Sequence, residues 1–195
     1  MGRTREFDVD AAVLCAMELF WAQGYEGTST RDLTTQIGIG PGSLYAAFGS
    51  KEGLFVAALD RYHEHFGDLV HAARTAAAEG GPVRPIIMDL LMGMLGRTVA
   101  DRPEACLLIK ATVERAATDP EVAQRVRAAL NGLHDAITEL LGLARARGEL
   151  HAEADAGDLA RAVLAVFIGT RILRAADPDP ARARATLEAA LVLLA

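Results

Sequence analysis

The chain has 195 residues, 51% apolar and 24% charged, a balance that supports a folded core and excludes intrinsic disorder. Its net charge of −6 excludes a broadly basic nucleic-acid binder, so any affinity for DNA must come from where individual groups are placed. The two cysteines, Cys15 and Cys106, fit neither a zinc nor a disulfide pattern. With no secretory leader pattern and no apolar stretch long enough to span a bilayer, we expect a cytoplasmic protein that does not enter membranes.

The first fifty residues predict three helices in close succession. Apolar residues at three- and four-residue spacing predict an amphipathic helix over 8–24, closed by a glycine. Ser29 and Asp32 match a capping box at the start of a short helix over 29–37. A glycine-rich break follows, and a proline begins a third helix over 41–47.

Two short helices joined by a glycine-bearing turn, behind a longer helix, are typical of a DNA-binding helix-turn-helix. Five apolar residues fall where the core of such a unit must be filled: Leu33, Ile37, Ile39, Leu44 and Phe48. The third helix carries no Arg, Lys, Asn or Gln, the side chains that discriminate bases best. We therefore expect sequence preference to depend on Ser43, backbone groups, DNA shape and an N-terminal arm bearing Arg3 and Arg5.

The remainder of the chain also has a helical pattern. A long apolar stripe predicts a fourth helix over 51–78, and glycine and proline breaks delimit helices over 84–99, 104–117, 120–147, 155–175 and 180–194. No segment of any length alternates as a strand would, so we predict an all-α fold of about nine helices. We divide it into a helix-turn-helix DNA-binding domain over 1–52 and a helical domain over 53–195, connected by the fourth helix.

A series of residues through the first helices keeps a recognisable order: Gly27-Thr28-Ser29-Thr30-Arg31-Asp32-Leu33, Ile37-Gly38-Ile39, Gly42-Ser43-Leu44-Tyr45, Phe48 and Ser50-Lys51-Glu52. Through them, residues 8–66 resemble the tetracycline-repressor family of bacterial regulators. The resemblance implies a homodimeric transcriptional repressor whose third helix enters the major groove of a palindromic double-stranded operator. It also implies that the C-terminal helical domain dimerises and binds a small-molecule inducer.

The resemblance further implies which residues contact DNA. Ser29, Thr30 and Arg31 would approach it from the second helix, Pro41, Gly42, Ser43 and Ala46 would face the groove, and Tyr45 and Lys51 would reach phosphates. The residues alone leave three of these assignments open. Tyr45 can instead pack against the first helix, Lys51 can be a solvated charge, and Arg31 can pair with Asp32 or Glu26.

For the C-terminal domain, the family's paired final helices suggest a dimer interface formed by Leu159, Val163, Phe167, Arg171, Leu187, Leu191 and Leu194. The alternative is that this stripe is intrachain core. Candidate ligand-binding residues are Met88, Met92, Met94, Cys106, Lys110 and Phe167. A helix start and a nearby lysine both raise thiol reactivity, so Cys106 is either a sensor of a reactive species or an inert buried thiol, whereas Cys15 is expected to be structural.

The sequence supports no enzyme active site and no cofactor. The two histidines of His63-Glu64-His65 are two residues apart, so on a helix their side chains point in different directions. We therefore predict no metal site there. Two alternative functions are also compatible with the sequence. One is a small helical thiol- or metal-dependent enzyme using Cys106 or His63, and the other is a degenerate family member that acts as a protein-interaction module.

Overall fold

The structure, a computed structural model, describes residues 7–96, 106–150 and 155–193. In these ranges it is α-helical, without strands, and the predicted all-α fold is confirmed. The helices are α1 Val9–Gln23, α2 Thr30–Ile37, α3 Pro41–Phe48, α4 Lys51–Glu64, α5 Gly67–Ala78, α6 Val83–Gly96, α7 Leu107–Glu114, α8 Pro120–Ala146, α9 Ala156–Ala176 and α10 Pro180–Leu193. None of the described helices combines the length and apolar character that crossing a membrane requires.

The single fourth helix predicted over 51–78 is wrong, because the chain leaves the helical path between α4 and α5. Phe66 has φ −104° and ψ −3°, outside regular helical geometry, and its side chain is buried. Gly67 follows, and glycine costs about 1 kcal/mol relative to alanine inside a helix. Burial of the phenylalanine and the weak helix propensity of the glycine favour a break, which gives ten described helices instead of nine.

Two compact units can be distinguished in the chain. The N-terminal unit contains residues 1–65 and 105–127, hence α1–α4, α7 and the first turns of α8. The C-terminal unit contains residues 66–104 and 128–195, with α5, α6, α9, α10 and the remainder of α8. The two compact units are defined by contacts between residues, whereas the two predicted domains are defined by function. The predicted functional boundary at residue 52 therefore stays a prediction.

The core of the N-terminal unit is formed where α1 packs along α4 and against α2 and α7. Phe20 meets Phe55 edge to face at a centroid distance of 4.9 Å, and Trp21 meets Tyr62 in the same manner at 4.9 Å. Burying each large apolar side chain contributes about 1.5–3 kcal/mol. Of the five predicted core residues, Leu33 and Leu44 are fully buried, and Ile37, Ile39 and Phe48 are half-buried.

In the C-terminal unit, α5 packs on α6, and α10 packs on both α9 and α6. Arg74 of α5 donates two hydrogen bonds to Glu139 of α8, at 2.8 and 3.0 Å. A cavity of about 60 Å³ lies among apolar side chains with Arg84 and Glu149 at its wall. Its other lining residues are Val83, Ile87, Leu141, Ala144, Leu150, Val163 and Leu191.

Candidate nucleic-acid interface

The start of α2 is fixed by a complete capping box. The Ser29 hydroxyl accepts a hydrogen bond from the Asp32 amide at 3.1 Å, and the Asp32 carboxylate accepts from the Ser29 amide at 2.9 Å and from its hydroxyl at 2.6 Å. These bonds, the one from the Ser29 side chain foremost, hold the pKa of Asp32 below its ordinary value. Thr30 is half-buried and Arg31 is exposed, and the charge of Arg31 also lowers the pKa of Asp32.

The backbone amides at the start of α3 have no side-chain cap. Gly40 caps the helix without a side-chain hydrogen bond, and Pro41 occupies the first turn. Pro41, Gly42 and Ala46 are exposed, Ser43 is half-buried, and a Cβ at Gly42 would meet no atom within 4 Å. No contact inside the chain requires glycine at position 42. Because glycine has no side chain, a partner can approach the helix backbone closely at this point.

Tyr45 projects from the middle of α3 with 50% of its surface exposed. It is not part of the buried core, as Tyr25 and Tyr62 are. Half of its surface is available to a partner molecule, and its contact with phosphate stays a prediction.

Lys51, at the start of α4, is held by an aromatic ring. Its Nζ lies 3.9 Å from the centroid of Tyr25, a geometry that attracts a cation to the ring face. The Tyr25 hydroxyl donates to Glu52 Oε1 at 2.5 Å, and this bond is the main cause that lowers the pKa of Glu52 to about 2. Burial, followed by the bond to Glu52, raises the pKa of Tyr25. Lys51 is thus a positioned cation and not a freely solvated one.

The N-terminal unit also contains a set of contacts that the sequence did not predict, made by α7. Lys110 Nζ donates to the carbonyl oxygens of Trp21 and Ala22 at 3.1 and 2.9 Å. Glu114 Oε2 accepts from the amides of Tyr25 and Glu26 at 2.7 and 3.0 Å. Lys110 and Glu114 are four residues apart, so the sequence places them on one face of a helix. This spacing does not identify the turn, almost ninety residues earlier in the chain, on which that face packs.

The six predicted ligand-binding residues are not brought together within one unit. Met88, Met94 and Phe167 are buried and Met92 is half-buried in the C-terminal unit, whereas Cys106 and Lys110 belong to the N-terminal unit. Lys110 is engaged by the carbonyls at the end of α1. The cavity in the C-terminal unit is lined by none of the six.

Cys106 is the N-cap residue of α7 and is half-buried, and a sensing role for its thiol stays a prediction. The Tyr62 hydroxyl donates to its Sγ at 3.7 Å. Cys15 is also half-buried, and burial, with the nearby Glu18, raises its pKa. His63 is exposed, and no cluster of three metal-ligating side chains occurs in the described ranges.

The predicted dimer stripe lies inside the protomer. Five of its residues are buried by the chain's own helices: Leu159, Val163, Phe167, Leu187 and Leu191. Arg171 lies 5.5 Å from the Phe167 ring centroid and donates to the Met94 carbonyl at 3.4 Å. Leu194, like Arg3 and Arg5 of the predicted arm, lies outside the described residues. Among the described side chains of α9 and α10, the large apolar ones that are exposed are Ile172, Leu173 and Val192, at 54%, 62% and 61% exposure.

Two family models match the chain: bacterial regulatory proteins of the tetR family over residues 15–58, and the tetracyclin repressor-like C-terminal domain over residues 88–190. The HTH-type transcriptional regulator YezE of Bacillus subtilis (strain 168) is 36% identical over 163 residues, 83% of this chain and 82% of that protein. The HTH-type transcriptional repressor ComR of Escherichia coli (strain K12) is 33% identical over 172 residues, 88% and 81% of the two chains. Among solved structures, a cysteine mutant of the TetR family regulator CifR, complexed with 26-bp double-strand operator DNA, is 32% identical with a TM-score of 0.83 over 100% of both chains.

Proposed function

Because the chain belongs to the tetR family of bacterial regulatory proteins, we propose that it is a cytoplasmic, homodimeric repressor that leaves its operator when a small-molecule ligand or reactive species acts on it. The structural observation that carries the proposal is the set of helix starts in the N-terminal unit. Arg31 is exposed at the start of α2, Lys51 is held on an aromatic ring at the start of α4, and Tyr45 is exposed in the middle of α3. The solved relative CifR is bound to operator DNA, which supports the same role here.

Phosphate contacts supply most of the affinity in this proposal. The N-terminal ends of helices carry partial positive charge and unpaired amides that favour anions, and Lys51 and the Tyr45 hydroxyl add side-chain donors. The remaining predicted contacts, Ser29, Thr30 and the exposed start of α3, approach the duplex from the same unit. These contacts tolerate an acidic protein, because they depend on the placement of single groups and not on net charge.

Dimerisation in this proposal uses the apolar residues that the protomer leaves uncovered on its last two helices. Ile172, Leu173 and Val192 are all more than half exposed, and large exposed apolar side chains suit a self-complementary interface. The buried stripe of α9 and α10 then serves as the support behind that surface.

The proposal is tested by selecting duplexes from genomic fragments with the intact protein and footprinting the enriched site. We expect a palindromic footprint occupied by one dimer, with half-sites about one helical turn apart or a multiple of it. If no sequence is enriched over random DNA, the repressor role is rejected in favour of a protein-interaction module.

In the second form of the proposal, a reactive species modifies Cys106 and so releases the protein from its operator. The partly exposed position of this thiol at the start of α7 favours such a reaction. We expect N-ethylmaleimide to release the wild-type protein and Cys15→Ser from a fluorescent operator, while Cys106→Ser stays bound. Fluorescence anisotropy measures the release. Release of Cys106→Ser at the wild-type rate would contradict a role for this thiol and leave a non-covalent ligand as the trigger.

A further inference from the structure

The turn between α1 and α2 supports two of the helix starts that the proposed function uses, those of α2 and α4. Gly24 has φ +80°, and its carbonyl accepts from the buried Thr28 hydroxyl at 2.7 Å. Ser29, the cap of α2, follows directly. In the same turn Tyr25 holds Lys51 and bonds to the second residue of α4. A displacement of this turn would therefore move the starts of α2 and α4 together.

Two charged side chains of α7 hold the turn in place. Lys110 satisfies two carbonyls at the end of α1, which a helix end otherwise leaves without intrahelical partners. Glu114 then satisfies the next two amides, those of Tyr25 and Glu26, through one carboxylate oxygen. Hydrogen bonds to ionised groups are shorter and stronger than those between neutral groups. Arg115 adds its guanidinium, 4.5 Å from the centroid of the Tyr25 ring.

The fit between Glu114 and the turn is close. A Cβ on Gly24 would lie 2.3 Å from Glu114 Oε1, far inside van der Waals contact. The carboxylate therefore occupies the space that any other residue at position 24 would need.

We infer that Glu114 and Lys110 are positioning residues for DNA binding, through which α7 sets the geometry of the two helix starts. The inference rests on the proposed function. α7 lies within residues 88–190, which match the C-terminal family model, yet it is part of the N-terminal unit.

The test uses the intact protein and the selected operator duplex, with anisotropy titrations at several salt concentrations. We expect Glu114→Ala to weaken binding about ten-fold or more. We also expect it to reduce the slope of log affinity against log salt by about one for each Lys51 phosphate contact that is lost. Lys110→Met should act in the same direction. Glu114→Gln should lie between wild type and Glu114→Ala, because its amide oxygen can still accept from both backbone amides.

Glu121→Ala is the matched control, since it removes one exposed carboxylate from the same unit without touching the turn. Hydrogen exchange of the Tyr25 and Glu26 amides should accelerate in Glu114→Ala and remain unchanged in the control.

A Glu114→Ala protein whose operator affinity fell only in proportion to its unfolded fraction, with the wild-type salt slope, would show a structural role alone and overturn the inference. If Glu114→Ala does not fold, Glu114→Gln with a wild-type salt slope and wild-type amide exchange would overturn it. Wild-type protein that bound no operator would instead overturn the proposed function itself.

Discussion

Lys51→Ala and Tyr45→Phe are each expected to weaken operator binding by about 1 kcal/mol per subunit, or roughly thirty-fold for a dimer that makes the contact twice. Lys51→Ala removes a cation positioned at the start of α4, and Tyr45→Phe removes only the exposed hydroxyl. The loss should be similar for all DNA sequences, because phosphates carry no base identity. Anisotropy titrations against the selected duplex and against random duplexes measure both quantities.

Arg61→Ala is the matched control for these two variants. Arg61 lies in the last turn of α4 and pairs with Glu64 at the surface, at 3.3 Å, so its removal changes the charge of the same helix away from its start. We expect operator affinity to be nearly unchanged in this variant. Equal losses in Arg61→Ala and Lys51→Ala would mean that net charge, and not placement, controls binding, and would contradict the assigned role of Lys51.

Gly24→Ala is expected to reduce the free energy of unfolding by about 3 kcal/mol. Two costs add. With φ +80° and ψ 175°, Gly24 has a backbone conformation that is essentially confined to glycine, and the new methyl group would also collide with the Glu114 carboxylate. Urea unfolding monitored by circular dichroism measures the loss.

Gly38→Ala is a milder comparison. Gly38 has φ +78° and ψ 28° at the end of α2, a left-handed conformation that costs alanine about 1 kcal/mol, and a Cβ there would meet no atom within 4 Å. The double variant Gly24→Ala with Glu114→Ala separates the two costs of Gly24→Ala: the collision is absent from it, so the two single losses should be less than additive. Strict additivity would show that the contact with Glu114 is not tight.

Local chemistry was sufficient to predict α1, α2 and α3. The capping box of Ser29 and Asp32, the proline at the start of α3 and the glycines that end α1 and α2 all act within a few residues, and the structure contains each of them as expected. The helix break at Phe66 was missed because it depends on the burial of that side chain, and burial is a property of the folded chain.

The DNA-contacting residues were assigned by resemblance, and their contacts with DNA remain a prediction. What the tertiary structure adds is their environment. It exposes Tyr45 and Arg31, and it places the Lys51 ammonium on the Tyr25 ring. Neither exposure nor a ring contact between residues 25 and 51 follows from spacing along one helix.

By itself, the sequence determined the helical class, the helix-turn-helix and the faces of the helices that are apolar, because periodicity, caps and breaks are read within one or two turns. Only the tertiary structure decided what covers each face. The stripe of α9 and α10 assigned to a partner subunit is covered by the protomer itself, and the α7 face assigned through Lys110 to a ligand is packed on the turn after α1. The physical reason is that hydrophobic burial is non-directional, so an apolar stripe specifies that it must be covered without specifying the surface that covers it, and the spacing of two charged residues does not specify the groups with which they pair.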